Sequence, residues 1–282
     1  MRFKSTVAAI ARFARRLLNA PDKKGARELL GTYRTANHYY ENLFKLLELI
    51  DASIEQSWED QTRWPMTGDR ILLDVEKMLS DTRSFIDAVF QLVLHCHSPE
   101  CITQIPRTRL RSFGSFAEWW FDQDNPPAFG PPLSFLCELV PWGLTIRGLR
   151  DNYIHYGYEG MILPSPENRE VYFDVNWQRR MNQPGTPRTL PEEFYVRNNA
   201  NKIIYLDKLI VYMIAPVCAL DQALGHYLDT LPESAPVEGF RPSSYRVAPR
   251  LRKLLLNNKD ILNPMLYRAR LYFYCPANSS SW

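Results

Sequence analysis

The sequence predicts an all-α protein, a bundle of long helices with one small β-hairpin set into it. Three observations carry this. Apolar residues recur at three- and four-residue steps over several stretches of 25 residues or more, the spacing that puts side chains on one helix face. Between 161 and 175 the period drops to two, as in a strand pair. Apolar content of 45%, with 13% aromatic residues in 282, suffices for a large core and excludes wholesale disorder.

Residues 3–19 read as an acid-free amphipathic helix on Val7, Ile10, Phe13 and Leu17. Packing on the body competes there with a transit peptide or a helix lying on anionic lipid. A second helix spans 27–57 through Leu29, Leu30, Tyr33, Tyr40, Leu43, Leu47, Ile50 and Ile54, and Trp64-Pro65 with Gly68 is expected to break the chain. A third helix follows over 69–97. Residues 98–132 are rich in Pro and Gly and read as loop, with a short helix near 115–121. The next helix, 133–157, is expected to bend or restart at Pro141. The hairpin comes next, Met161-Ile162-Leu163-Pro164 against Glu170 to Val175 across a polar turn. A helix over 192–230 contains Pro216, and a tail with Pro236, Pro242 and Pro249 carries a short basic helix near 249–257. The organisation expected is an N-terminal helical extension (1–67), a core (68–232) with its hairpin near 161–176, and a basic C-terminal tail (233–282).

Charge is unevenly spread. Residues 1–27 hold eight Lys/Arg against Asp22, and residues 237–282 hold eight against Glu238 and Asp260. The ends are thus about +7 and +6 and the middle about −10, within a net charge of +3. Such polarity suits a polyanion-binding surface, or basic ends docked on an acidic body. The five cysteines, at 96, 101, 137, 218 and 275, show no disulfide-framework spacing and point to a reducing, cytoplasmic setting. The longest apolar run, Leu209 to Leu220, is 12 residues with Pro216 inside it. A bilayer span needs about 20, so no stable membrane insertion is expected.

The most informative stretch is Arg147-Gly148-Leu149-Arg150-Asp151-Asn152-Tyr153-Ile154-His155-Tyr156-Gly157. Leu139, Trp142, Ile146, Leu149 and Tyr153 share one face, and Gly157 stands where a left-handed cap ends a helix. Asp151 and His155 are four apart, hence neighbours on the helix surface. Arg150 and His155 are about 140° apart round the axis, so their head groups converge only through the length of the Arg side chain. Arg150–Asp151 as a surface ion pair, with His155 as a cap on the helix dipole, is the structural alternative.

Arg150-Asp151-x-x-x-His155 resembles the Arg-polar-x-x-x-His signature of HEPN domains, helical modules of prokaryotic toxins and defence nucleases. The resemblance spans about residues 68–230 and rests on this short motif near a helix end. It implies a metal-independent endoribonuclease of the toxin or phage-defence kind, needing no cofactor and acting as a homodimer with a shared cleft. RNA would be the substrate, and an antitoxin or sensor protein a further partner. Arg150 and His155 would be catalytic with Asp151 in support. Arg147, Asn152, Tyr156 and Tyr158 are the candidate substrate-binding residues. Some members carry a tyrosine two residues after the histidine; here that position is Gly157.

The chemistry fits the residue types. A neutral imidazole, ordinarily titrating near about 6.5, can take the 2′-OH proton or give one to the leaving oxygen. A guanidinium can brace charge on phosphorus. Asp151 or Asn152 would orient the ring, and either tyrosine could stack a base. One imidazole hardly serves both sides of the phosphorus, a second reason to expect two copies. The competing function is a HEPN-like module that binds RNA, a nucleotide or a protein without cutting.

Other motifs are weaker. His95-Cys96-His97 with Cys101 resembles half a zinc site, without a second cluster to complete it. Trp119-Trp120-Phe121 reads as an aromatic platform or a core plug. Arg107, Arg109 and Arg111 would line one side of an extended segment, as phosphate ligands or as a solvated charge run. A glycine-rich phosphate loop, a Gly-x-Ser-x-Gly elbow and a His-Glu-x-x-His pair are all absent.

Overall fold

The computed structural model describes residues 26–95, 102–156, 160–174, 190, 194–196 and 203–230. The expected helices at 3–19 and 249–257, both basic ends, Gly157 and Tyr158 lie outside the described residues. Within them the chain is mainly helical with a small antiparallel sheet. Helix α1 (Ala26–Glu59) and α2 (Trp64–Leu94) run side by side, joined by a 3₁₀ turn at Gln61–Arg63. Short helices α3 (Phe113–Phe121) and α4 (Leu133–Glu138) precede α5 (Val140–Tyr156), which holds the Arg-polar-x-x-x-His motif. Strands β1 (Met161–Ser165), β2 (Glu170–Asp174) and β3 (Ile203–Tyr205) lead into α6 (Leu206–Thr230).

The α1–α2 turn is a correction. Trp64-Pro65 does not break the chain but opens α2, because proline fits the first helical turn, where its missing N–H has no partner to lose. Gly68 is not a break either. It sits inside α2 against β1, where an added Cβ would lie 3.6 Å from Ile162 Cβ. The stop falls instead at Asp60, whose carboxylate accepts from Thr62 N and Thr62 Oγ1 and pairs with Arg63.

The expected hairpin forms, with Ile162 opposite Phe173 and Pro164 opposite Val171. A third strand joins it: β3 pairs antiparallel with β2, Tyr172 opposite Tyr205. The helix expected from 192 thus begins at Leu206, because Ile203–Tyr205 takes its hydrogen bonds from β2 rather than from its own next turn.

One apolar core links every layer. The stripe of α1 (Ala36, Tyr40, Leu43, Leu47, Ile50, Ile54) is buried along α2 and shares that core. Helix α6 is buried on all sides from Leu209 to Asp221, packed by α2, α4, β2 and β3. This is how an all-round apolar helix reads when it fills a core. Cys137 and Cys218 are free thiols inside it. Burial, helped by Glu138, pushes Cys137 up to about 12; burial, helped by Asp221, pushes Cys218 higher still, so both are inert.

Pro216 does not interrupt α6. It lacks the N–H that would bond the carbonyl of Tyr212 four residues back. Trp142 Nε1 donates to that carbonyl at 2.8 Å in a buried setting, so α5 supplies the missing donor.

Asp221 is the exception in this apolar helix. It is 7% exposed, its Oδ1 has no hydrogen-bond partner among the described residues, and burial holds its carboxyl well above the usual range. A raised native pKa means that the folded chain keeps a proton the unfolded chain releases. Stability from this group is present below the unfolded value of about 3.9 and lost as pH rises through the native one. Asp221→Asn is expected to match wild type near pH 4 and to gain on it towards pH 8, by up to about 1.4 kcal/mol per pH unit inside that window. Parallel melting curves for the two proteins across that range would contradict this.

Candidate functional site

Helix α5 presents its apolar face inwards: Leu139, just before its start, then Trp142, Ile146 and Leu149 are all buried. Close packing sets the face beside it. A Cβ on Gly143 would lie 2.3 Å from Phe113 Cε1, so α3 and α5 meet at a separation only glycine permits. The outward face at the far end carries Arg147, Arg150 and Asp151, each partly buried. The backbone places His155 in the last turn, one residue before the helix ends at Tyr156. The side chains of Asn152, His155 and Tyr156 lie outside the described residues, as does Tyr158.

The described part of the site is a network of ion pairs. Arg150 Nη1 donates to Asp151 Oδ1 at 2.7 Å. Arg147 Nε stands 3.5 Å from the other oxygen of Asp151, and its Nη1 lies 2.6 Å from Glu118 on α3. Arg83, on α2, reaches across to Asp151 Oδ1 at 3.7 Å. The same Arg83 lies 3.9 Å from Asp87, one turn along its own helix. Arg109 closes the far end, 3.8 Å from Glu118. Four guanidiniums thus share three carboxylates, leaving an excess of one positive charge.

Asp87 does separate work at the edge of this network. Its carboxylate accepts from Phe113 N at 2.8 Å, so an acid on α2 caps the start of α3. Burial pushes its pKa up, while Arg83, the N–H groups of Phe113 and Gly114, and Arg147 pull it back. Ser112 caps the same helix end through Ser115 N.

The expected partner of Asp151 was the imidazole of His155; its described partners are Arg150, Arg147 and Arg83. A contact with His155 falls outside the described residues. Arg83 carried no sequence signal, since its partner is 68 positions away. Arg107 to Arg111 is another correction. Arg107–Arg109 is a 3₁₀ turn, not an extended run, because Arg109 N closes onto the carbonyl of Pro106 at 2.7 Å. Gln91 holds the segment on α2 by donating to the carbonyls of Leu110 and Arg111. Arg109 turns towards Glu118, while Arg107 and Arg111 remain exposed.

Trp119 and Trp120 pack against the core, and Trp120 Nε1 donates to the Pro127 carbonyl. Phe121 alone of the three is exposed, at 39%. Among the described residues no His, Cys, Asp and Glu side chains cluster as a metal site, and 96–101 lie outside them. No helix among the described residues is long and apolar enough to cross a membrane. No family model, curated protein or solved structure matches this chain.

Proposed function

We propose that this chain is a metal-independent endoribonuclease of the toxin or phage-defence type, cutting RNA at a site shared by two copies. The observation that carries the reading is positional. The Arg-polar-x-x-x-His motif occupies the end of a long core helix, and four guanidiniums, two of them on that helix, form one ion-pair network round Asp151 and Glu118. In the proposed reaction an imidazole takes the 2′-OH proton and the 2′-oxygen bonds to phosphorus. The bond from phosphorus to the 5′-oxygen breaks, and the imidazole of the second copy, protonated at the start of the step, gives its proton to that oxygen. Arg150 steadies the added charge on the phosphoryl oxygens.

A second reading, a HEPN-like module that binds RNA, a nucleotide or a protein without cutting, is favoured by one contact. Arg150 already donates to Asp151 at 2.7 Å, so its charge is partly committed within the chain.

The discriminating experiment uses two single-stranded oligonucleotides of one sequence, all-ribo and all-2′-deoxy, in excess EDTA. The nuclease reading expects the ribo strand to be cut to cyclic-phosphate and 5′-hydroxyl ends and the deoxy strand to stay whole. Sedimentation should place the active species at twice the chain mass. An intact ribo strand, or cleavage of both strands, removes the nuclease reading; binding without cleavage supports the second.

A further inference from the structure

Arg83 is the member of the network that stands between two carboxylates and closes on neither. It is one-quarter exposed and lies 3.7 Å from Asp151 and 3.9 Å from Asp87. Both distances allow Coulomb attraction, and both are too long for a hydrogen bond. Among the described residues its five N–H donors make none. The guanidiniums beside it are more fully engaged, Arg150 on Asp151 and Arg147 on Glu118.

A guanidinium placed only to brace α5 on α2 has two carboxylates within reach and would be expected to close on one of them. Pairs this long and this accessible contribute little to stability, too little to explain holding a long side chain between them. An arginine whose planar fork is unsaturated is suited to an anion that accepts through two oxygens, as the non-bridging oxygens of a phosphodiester do. The local excess of positive charge has the sign such an anion needs.

We infer that Arg83 is a phosphate-holding residue, gripping a backbone phosphodiester of a single-stranded nucleic acid beside Arg147 and Arg150. Asp151 is then a positioning residue that fans the three guanidiniums round one point. This rests on the polyanion half of the proposed function and not on cleavage. The ligand is recognised by its phosphates, so ribose and deoxyribose strands both bind.

The test uses the full chain and the all-2′-deoxy oligonucleotide, which is not cut. Arginines are modified with phenylglyoxal, with and without the oligonucleotide, and read by mass spectrometry. Arg83 is expected to be protected several-fold while Arg70, exposed on the same helix, is not. In titrations against salt, Arg83→Gln should weaken binding about ten-fold at 0.1 M and lower the slope of log K on log salt by about 0.7, one phosphate contact on a single strand. Arg83→Lys, which keeps the charge, should keep the slope. Equal modification of Arg83 in both states, an unchanged slope in Arg83→Gln, or no binding of the oligonucleotide by wild type overturns the inference. The footprint needs no variant to fold. Protection of Arg83 in a protein that leaves the ribo strand whole would sink the nuclease reading and keep this one; cleavage without protection does the reverse.

Discussion

Trp142→Ala is expected to destabilise the fold by about 3–5 kcal/mol, the range for removing a buried large aromatic side chain. The indole is 4% exposed, and its N–H serves a carbonyl that the helix itself cannot serve. Trp142→Phe separates the two effects. It keeps most of the ring volume and leaves the Tyr212 carbonyl without that donor, which costs about 1–3 kcal/mol. The diagnostic step is Pro216→Ala in the Trp142→Phe background. Alanine restores a backbone N–H at 216, within reach of the carbonyl four residues back, so the double variant should recover part of the loss. Urea midpoints for wild type, both single variants and the double variant close the cycle. Additive losses would mean that the tryptophan stabilises only by filling space.

The other large effect belongs to the proposed chemistry. His155→Ala and Arg150→Ala should each lower the rate of RNA cleavage by about 10²–10⁴-fold in excess EDTA, the range for a positioned proton-transfer group or a charge-stabilising donor. Their melting temperatures separate chemistry from folding. Arg150 is partly buried and paired with Asp151, so its removal is expected to reduce stability as well; His155→Ala is expected to leave it nearly unchanged. Mixing the two inactive variants supplies a stricter check. The proposed step uses one imidazole from each copy and a mixed dimer holds only one, so cleavage should stay as low as in the variants alone; recovery would show that a single imidazole serves both sides of the phosphorus. Wild-type rates in both single variants would remove the catalytic assignment.

Much of the helical layout was legible because burial writes a period into the chain. The stripe of α1 from Tyr40 to Ile54 matched its buried face, and the alternation across 161–174 gave the hairpin. Two of the misreadings share a cause: a residue's local preference was decided by a distant partner. Ile203-Ile204-Tyr205 runs without a break into Leu206, so nothing local marks it as a strand, and only β2 makes it one. Gly68 looks like a breaker until Ile162 is beside it. The site divides in the same way. Arg150, Asp151 and His155 stood out because their spacing is short and patterned. Arg83 and Glu118 reach the motif from α2 and α3, and their side chains are ordinary ones on ordinary helix faces.

The step from α5 to the sheet is short: the helix ends at Tyr156 and β1 starts at Met161. Five extended residues reach about 18 Å at most, so the first strand is leashed to the helix terminus. The sheet therefore occupies part of the space round that terminus at all times. A second copy bringing its own terminus alongside has to come in through the remaining sector, which restricts the orientations open to a pair of chains.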